Sequence, residues 1–90
     1  MISKEKVQQL FIYNRLTGEI RWKADFNSRA KGGSIAGYID GQGYRQITVF
    51  GKKYTANKIA WIFLNGRYEG KIKNIDGNRL NNSIANLKIK

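Results

Sequence analysis

Apolar and polar residues alternate over three short segments in the middle of the chain, with the period of two that is typical of half-buried β-strands. These segments span residues 34–39, 44–50 and 53–56. Residues 40–43 (Asp-Gly-Gln-Gly) and residues 51–52 (Gly-Lys) separate them, and both sequences suit tight hairpins. We therefore predict a three-stranded antiparallel meander.

A helical period is clearest directly after the meander, over residues 56–66. Asn57 is in a suitable position to cap the N-terminus of this helix, and Asn65 with Gly66 is a typical end signal. We expect the helix to cover the inner face of the meander with its apolar side chains, which are Ile59, Trp61, Ile62 and Phe63.

The N-terminal part predicts a short helix followed by a hairpin. Residues 3–12 have the helical pattern, and Ser3 is a good N-cap. A turn at residues 14–18 then joins two short apolar strands, of which the second has Ile20 and Trp22 on one face. We expect Trp22 to pack in the core or on the sheet, with a base-stacking role as the alternative.

The C-terminal part repeats the strand pattern around a second hairpin. A strand over residues 72–75 leads into a turn at 76–77, and one helical turn at 82–86 precedes a last strand at 87–89. The predicted fold is therefore a single α+β domain over residues 1–90. In it, a small three-stranded meander packs on one main helix, flanked by an N-terminal helix and hairpin and a C-terminal hairpin.

The charge of the chain indicates the class of partner. Its 90 residues contain 17 Lys and Arg against 6 Asp and Glu, a formal net charge of +11. A potential this positive favours a polyanion, of which nucleic acid is the natural example, although a basic surface that only aids solubility is the alternative. The predicted contact residues are Arg29, Lys31, Arg45, Lys52, Lys53, Lys58, Lys71, Lys73 and Arg79.

The composition also bears on the compartment. The chain has no Cys, which points to a reducing environment, and no apolar stretch approaches the roughly 20 residues needed to cross a bilayer. Its first residues are charged and polar, unlike a secretory signal. We expect a soluble cytoplasmic protein, and the host cytoplasm if a phage encodes it.

The last eighteen residues, 73–90, crowd five Asn and one Asp around a turn signal, in a chain without His or Pro. Asn and Asp side chains of this kind can serve only as turn and cap groups. They can also belong to a metal site, since hard cations accept Asp and Asn oxygens. Asp76 is the one carboxylate among several cations here, a poor cage for a metal, and we predict no metal and no cofactor.

Three separated parts of the chain resemble the phage-type HNH homing endonucleases. Residues 10–13 (Leu-Phe-Ile-Tyr) with 17–23 (Thr-Gly-Glu-Ile-Arg-Trp-Lys) are similar to the N-terminal hairpin of that family. Residues 37–61, from Gly-Tyr through Gly-Lys-Lys-Tyr to Asn-Lys-Ile-Ala-Trp, resemble its sheet-then-helix segment. Residues 75–87 match its Asp-His-x-(Asn or Asp)-Gly-x-x-x-x-Asn-x-x-x-Asn-Leu pattern. The resemblance implies that the C-terminal hairpin is a remnant of the HNH ββα unit.

That family's chemistry requires a metal-binding Asp, a neighbouring His as general base and an Asn that orients the His. The resemblance puts Lys73 at the Asp position, Asn74 at the His position and Asn86 at the orienting position. Asn57 stands where a His usually opens the preceding helix. A Lys ammonium repels a divalent cation and an Asn amide takes up no proton near neutral pH. By the resemblance, the helix that supplies the remaining ligand would follow residue 90, so we expect that ligand to be missing.

The resemblance and the charge together predict a non-catalytic nucleic-acid-binding protein derived from an HNH endonuclease, with DNA favoured over RNA. The alternative is a small inhibitor from a phage or mobile element that binds a nucleic-acid-handling host defence complex, such as a CRISPR surveillance complex. A third reading, a metal-dependent nicking endonuclease, requires a metal at Asp76. The strand at residues 72–75 also has few partners, so we expect that its edge could pair in a homodimer.

Overall fold

The predicted α+β architecture is confirmed in the computed structural model, which describes residues 1–89. Within these residues, two helices pack with three small antiparallel sheets. The elements in chain order are α1 (Lys4–Leu10), β1 (Phe11–Tyr13), β2 (Ile20–Trp22), β3 (Tyr38–Ile39), β4 (Arg45–Val49), β5 (Lys52–Thr55), α2 (Ala56–Asn65), β6 (Ile72–Asn74), a 3-10 turn (Ile84–Asn86) and β7 (Leu87–Ile89).

The meander is present with the order β3-β4-β5, but its first strand is shorter than predicted. Residues 34–36 pair with the N-terminal hairpin instead. The backbone N–H of Trp22 donates to the carbonyl of Ser34 at 3.0 Å, and the N–H of Ala36 donates to that of Ile20 at 2.9 Å. Gly37, with a φ of +84°, then redirects the chain into β3. This segment therefore joins the two sheets.

Helix α2 covers the inner face of the meander, as predicted. Ile59, Ala60 and Ile62 are fully buried against Ile47 and Val49 of β4 and the rest of the core. Trp61 and Phe63 are only partly buried and pack at the edge of this core, because their positions on the helix turn them away from the sheet.

The predicted cap of α2 is wrong. Thr55 is the N-cap residue, with an extended backbone, and Asn57 lies inside the first turn. The side chain of Asn57 is buried at 6% exposure and forms hydrogen bonds with other elements, so it is not free to cap. The C-terminal signal is correct: Gly66 ends the helix with a φ of +80°, and its N–H bonds the carbonyl of Ile62.

The N-terminal helix and hairpin form as expected, with one change of boundary. The hydroxyl of Ser3 accepts a hydrogen bond from the N–H of Lys6 at 3.1 Å and caps α1. The helix ends at Leu10, and Phe11 begins β1, whose partner in β2 is Trp22. The two rings lie 4.7 Å apart between centroids, so the hairpin contributes an aromatic contact to the core.

The C-terminal hairpin of β6 and β7 is also present, and the N-terminal hairpin holds the loop before β7 in place. The N–H of Ile84 donates to the carbonyl of Arg15 at 2.9 Å, and the hydroxyl of Tyr13 donates to the carbonyl of Asn82. Neither helix within residues 1–89 is long and apolar enough to cross a membrane. The radius of gyration, 12.0 Å, is that expected for a single compact domain of this length.

A glycine substitution tests the contact between the two hairpins. Gly18 has a φ of +82°, and a Cβ there would lie 2.5 Å from the backbone of Asn82 and Ser83. We expect Gly18→Ala to lower the free energy of unfolding in urea by roughly 1–2 kcal/mol for the left-handed backbone and about 1–3 kcal/mol more for the clash.

Gly43 provides the matched control for this prediction. Its φ is +83°, but no atom lies within 4 Å of the position of an added Cβ. Gly43→Ala should therefore show the backbone cost alone. Equal losses for the two variants would mean that the close contact at Gly18 is relaxed at no cost, contrary to the prediction.

Candidate nucleic-acid interface

A network of buried asparagine side chains connects α2 with the C-terminal hairpin. Asn74 of β6 is its centre, with 7% exposure. Its Oδ1 accepts a hydrogen bond from Nδ2 of Asn57 at 3.1 Å. Its own Nδ2 donates to the carbonyl of Asn81 at 2.8 Å and to Oδ1 of Asn82 at 3.1 Å. A buried amide is stable only when its donors and acceptors are paired, as they are here.

A second part of the network surrounds the carboxylate of Asp76. Oδ2 accepts from Nδ2 of Asn81 at 2.9 Å, and Oδ1 accepts from Nδ2 of Asn86 at 2.9 Å and from the N–H of Asn78 at 2.8 Å. These hydrogen bonds, that of Asn81 first, lower the pKa of Asp76 below its ordinary value of 3.8. Both oxygens are therefore used by the hairpin itself.

The asparagines near residue 80 thus act as turn and cap groups. Oδ1 of Asn78 accepts from the N–H of Leu80 at 3.0 Å, and Oδ1 of Asn81 accepts from the hydroxyl of Ser83 at 3.0 Å. Asn86 reaches the backbone N–H of Asp76 as well as its carboxylate. These contacts account for the high asparagine content of the segment by hydrogen bonding within the fold.

Three of the four positions compared with the HNH family, Lys73, Asn74 and Asn86, lie on two sides of the hairpin. Asn74 and Asn86 both point inward, and both donate to the carbonyl of Asn81 at 2.8 Å. Lys73 is exposed on the opposite face of β6, as alternation along a strand requires. The structure therefore brings Asn74 and Asn86 together and separates Lys73 from them.

Six of the nine predicted basic contact residues line three adjoining depressions, which together we call the basic groove. Its three adjoining depressions share residues: Lys71 and Tyr44 lie between the first and second, and Lys58 and Tyr68 between the second and third. All six cations are exposed, and the three tyrosines beside them are partly buried. The basic groove is lined by Lys52, Lys53, Lys58, Lys71, Lys73 and Arg79, with Tyr44, Tyr54 and Tyr68.

The electrostatics of the basic groove are one-sided. Among residues 1–89, no Asp or Glu lines any of its three depressions. The ion pairs found within the same residues are Arg21 with Glu19, at 3.5 Å, and Lys31 with Asp25, at 3.6 Å, and neither involves a groove cation. Among residues 1–89, no groove cation therefore forms an ion pair with an acidic side chain.

Among residues 1–89, contacts hold one groove cation, Arg79, in a defined position. Its guanidinium lies 4.5 Å from the ring centroid of Tyr44, and it donates to the carbonyl of Gln42. Asp40 lies nearby but is used by the β3–β4 hairpin. Hydrogen bonds, chiefly from the side chain of Gln46, lower its pKa, with the charge of Arg79 a smaller cause.

The other three predicted contact residues lie outside the basic groove. Arg29 and Lys31 are exposed in the irregular loop after β2, and Lys31 pairs with Asp25. Arg45 points to the other side of β4, into a depression that also contains Glu19, and its guanidinium donates to the carbonyl of Gly37 at 3.1 Å. The sequence analysis selected contact residues by charge, and charge alone does not separate these three residues from the groove cations.

Sequence reasoning did not single out the groove tyrosines as site residues. The available signal was the alternation over residues 44–50, which turns Tyr44 away from the buried face of Ile47 and Val49. No comparable pattern marks Tyr68, which lies in the connection between α2 and β6, or Tyr54, which is in β5. Their position beside the cations follows only from the packing of separate elements.

Comparisons of the chain with protein-family models, with curated proteins and with solved structures find no match. The resemblance to the HNH endonucleases therefore stays a prediction from the motif positions. The homodimer through the edge of the strand at residues 72–75 also stays a prediction.

The hydrogen bonds to Asp76 predict a pH dependence. Because its folded pKa lies below the unfolded value, the carboxylate stabilises the fold above about pH 4, and this contribution is lost as the pH falls through the folded pKa. We expect Asp76→Ala to lower the free energy of unfolding at pH 7, and the difference from wild type to shrink steadily below pH 4. A difference that stays constant between pH 7 and pH 2.5 would contradict the role given to the ionised carboxylate.

Proposed function

We propose that this protein binds nucleic acid, with DNA as the first choice, along the basic groove and without cleaving it. The observation that supports this most directly is the groove itself, whose adjoining depressions are lined by six exposed cations and three tyrosines. Among residues 1–89, no acidic residue lines them. Phosphate groups are the anions that such a row of Lys and Arg contacts, and aromatic rings between them are typical of nucleic-acid sites.

The positions of Lys73 and Asn74 support binding without cleavage. Lys73 places a positive charge in the groove, where it attracts phosphate and repels a divalent cation. Asn74 has its amide donors and acceptor engaged with Asn57, Asn81 and Asn82, and an amide does not act as a general base near neutral pH. In this proposal the hairpin is a scaffold that displays cations.

The salt dependence of binding is the quantitative test. Six phosphate contacts would give a slope of log K against log salt of about −5 for duplex DNA and about −4 for a single strand. Replacing Lys58, Lys71 and Lys73 together by Gln should reduce the size of the slope by about three. At 100 mM salt we expect an affinity loss of at least about tenfold, measured by fluorescence anisotropy with labelled DNA.

The matched control removes three charges from outside the groove. Arg15, Arg29 and Lys31 are exposed, and none of them lines it. Replacing these three by Gln changes the net charge equally, so the slope should stay close to that of wild type. Equal losses in the two triple variants would indicate binding through net charge alone and would overturn the assignment to the groove. A wild-type slope near zero would overturn nucleic-acid binding.

A protein partner is the second candidate, and an exposed apolar surface favours it. Leu16 is 83% exposed at the tip of the N-terminal hairpin, and Ile84 is adjacent through the hydrogen bond to Arg15. Ile35 and Leu80, both exposed, line one depression on the same side as Arg45. Such a surface suits an inhibitor that docks on a host defence complex, as the alternative reading of the sequence proposes.

Pull-down from nuclease-treated host lysate tests this second candidate. An inhibitor should retain a stoichiometric protein, and Leu16→Asp with Leu80→Asp should abolish the capture, because charged side chains there oppose an apolar contact. The triple Gln variant of Lys58, Lys71 and Lys73 should leave the capture intact. Recovery of no protein after nuclease treatment would contradict the inhibitor and leave the nucleic-acid proposal in place.

A further inference from the structure

The hairpin between β4 and β5 presents an aromatic residue in a conformation that aromatic residues rarely adopt. Phe50 and Gly51 are its two loop residues, with φ values of +52° and +77°. Positive φ at both positions is typical of a type I′ turn, in which Asn-Gly is strongly preferred. Among residues 1–89, Phe50 is the only non-glycine residue with positive φ, and its side chain is 63% exposed.

Aromatic packing connects the ring of Phe50 to the core. Phe26 packs against it edge to face, with centroids 5.6 Å apart, and Phe26 in turn stacks on Trp22 of the core at 4.8 Å. The ammonium of Lys6 lies 5.9 Å from the Phe50 centroid. An aromatic side chain at a hairpin tip is thus supported by the core while much of its surface remains open to a ligand.

This aromatic tip continues the basic groove. Phe50 lines a further depression together with Lys6, Lys52 and Tyr54. Lys52 and Tyr54 also line the last part of the basic groove. A nucleic-acid strand whose phosphates followed the cations from Arg79 to Lys52 would therefore arrive at the Phe50 ring.

We propose that Phe50 stacks on an unpaired base at this end of the groove, so that the preferred ligand is a single strand. The inference rests on the proposed function and adds the class of nucleic acid. Bases inside an intact duplex are stacked on one another and offer no free face to a ring, whereas the bases of a single strand can be splayed out onto one. The neighbouring cations Lys6 and Lys52 supply charge complementarity for the phosphates on either side of that base.

Phe50→Asn is the informative variant. Asn followed by Gly51 is the preferred sequence for this turn, so the backbone conformation is favoured while the ring is removed. In fluorescence anisotropy we expect a labelled 12-nucleotide oligo-dT to bind roughly tenfold more weakly to this variant than to wild type. The slope against salt should be unchanged, because no charge is lost. Affinity for a 12-base-pair duplex should change less than twofold.

Phe50→Tyr is the matched control, since it keeps a ring at the same position and should bind oligo-dT within twofold of wild type. The urea unfolding midpoint of each variant is measured beside its affinity. The proposal is overturned if Phe50→Asn binds oligo-dT as wild type does, or if single-strand and duplex affinities fall equally. It is also overturned if Phe50→Asn loses both its affinity for oligo-dT and its unfolding transition, and Phe50→Tyr loses as much affinity.

The triple Gln variant of Lys58, Lys71 and Lys73 separates this inference from the proposed function. If that variant loses affinity while Phe50→Asn does not, the groove binds nucleic acid and the stacking role is wrong. If wild type shows no salt-dependent binding to either DNA, the proposed function itself fails.

Discussion

The side-chain amide of Asn74 is the contact on which the candidate site depends. It is buried, and it joins the first turn of α2, through Asn57, to the loop that precedes β7, through Asn81 and Asn82. Leaving any of these partners unpaired in the interior would cost roughly 1–3 kcal/mol. Because side chains alternate along a strand, holding Asn74 inward holds Lys73 outward. The same amide therefore keeps the side chain of Lys73 on the exposed side of β6.

Most of the few carboxylates of this basic protein either stabilise the turns in which they lie or pair with nearby cations. Asp40 and Asp76 accept hydrogen bonds from the turns in which they lie, which stabilises the two hairpins next to Arg79. Asp25 and Glu19 pair with cations outside the groove. With a net charge of +11, self-repulsion opposes compactness, and buried apolar contacts and amide networks must offset it. Burial of Ile47, Ile59 and Ile62 contributes to this offset.

The local elements of the fold were predictable because their signals lie within a few residues. Alternation defined β4, in which Ile47 and Val49 are buried, and the helical period with Gly66 defined α2. Ser3 capped α1 as its residue type suggests. Boundaries were less accurate where a competing partner lay far away along the chain. Ser34 and Ala36 bond β2 instead of extending β3, and Asn57 bonds Asn74 instead of capping α2.

The sequence by itself therefore determined the class of fold, the hairpins, the main helix and the strong positive charge. Only the tertiary structure decided which cations lie together. Lys58 of α2 and Lys71, which precedes β6, share a depression, whereas Arg45 of β4 lies apart from them beside Glu19. Periodicity and turn chemistry are local properties of the backbone, but the relative placement of separate elements follows from long-range burial and hydrogen bonding. No local pattern contains that information.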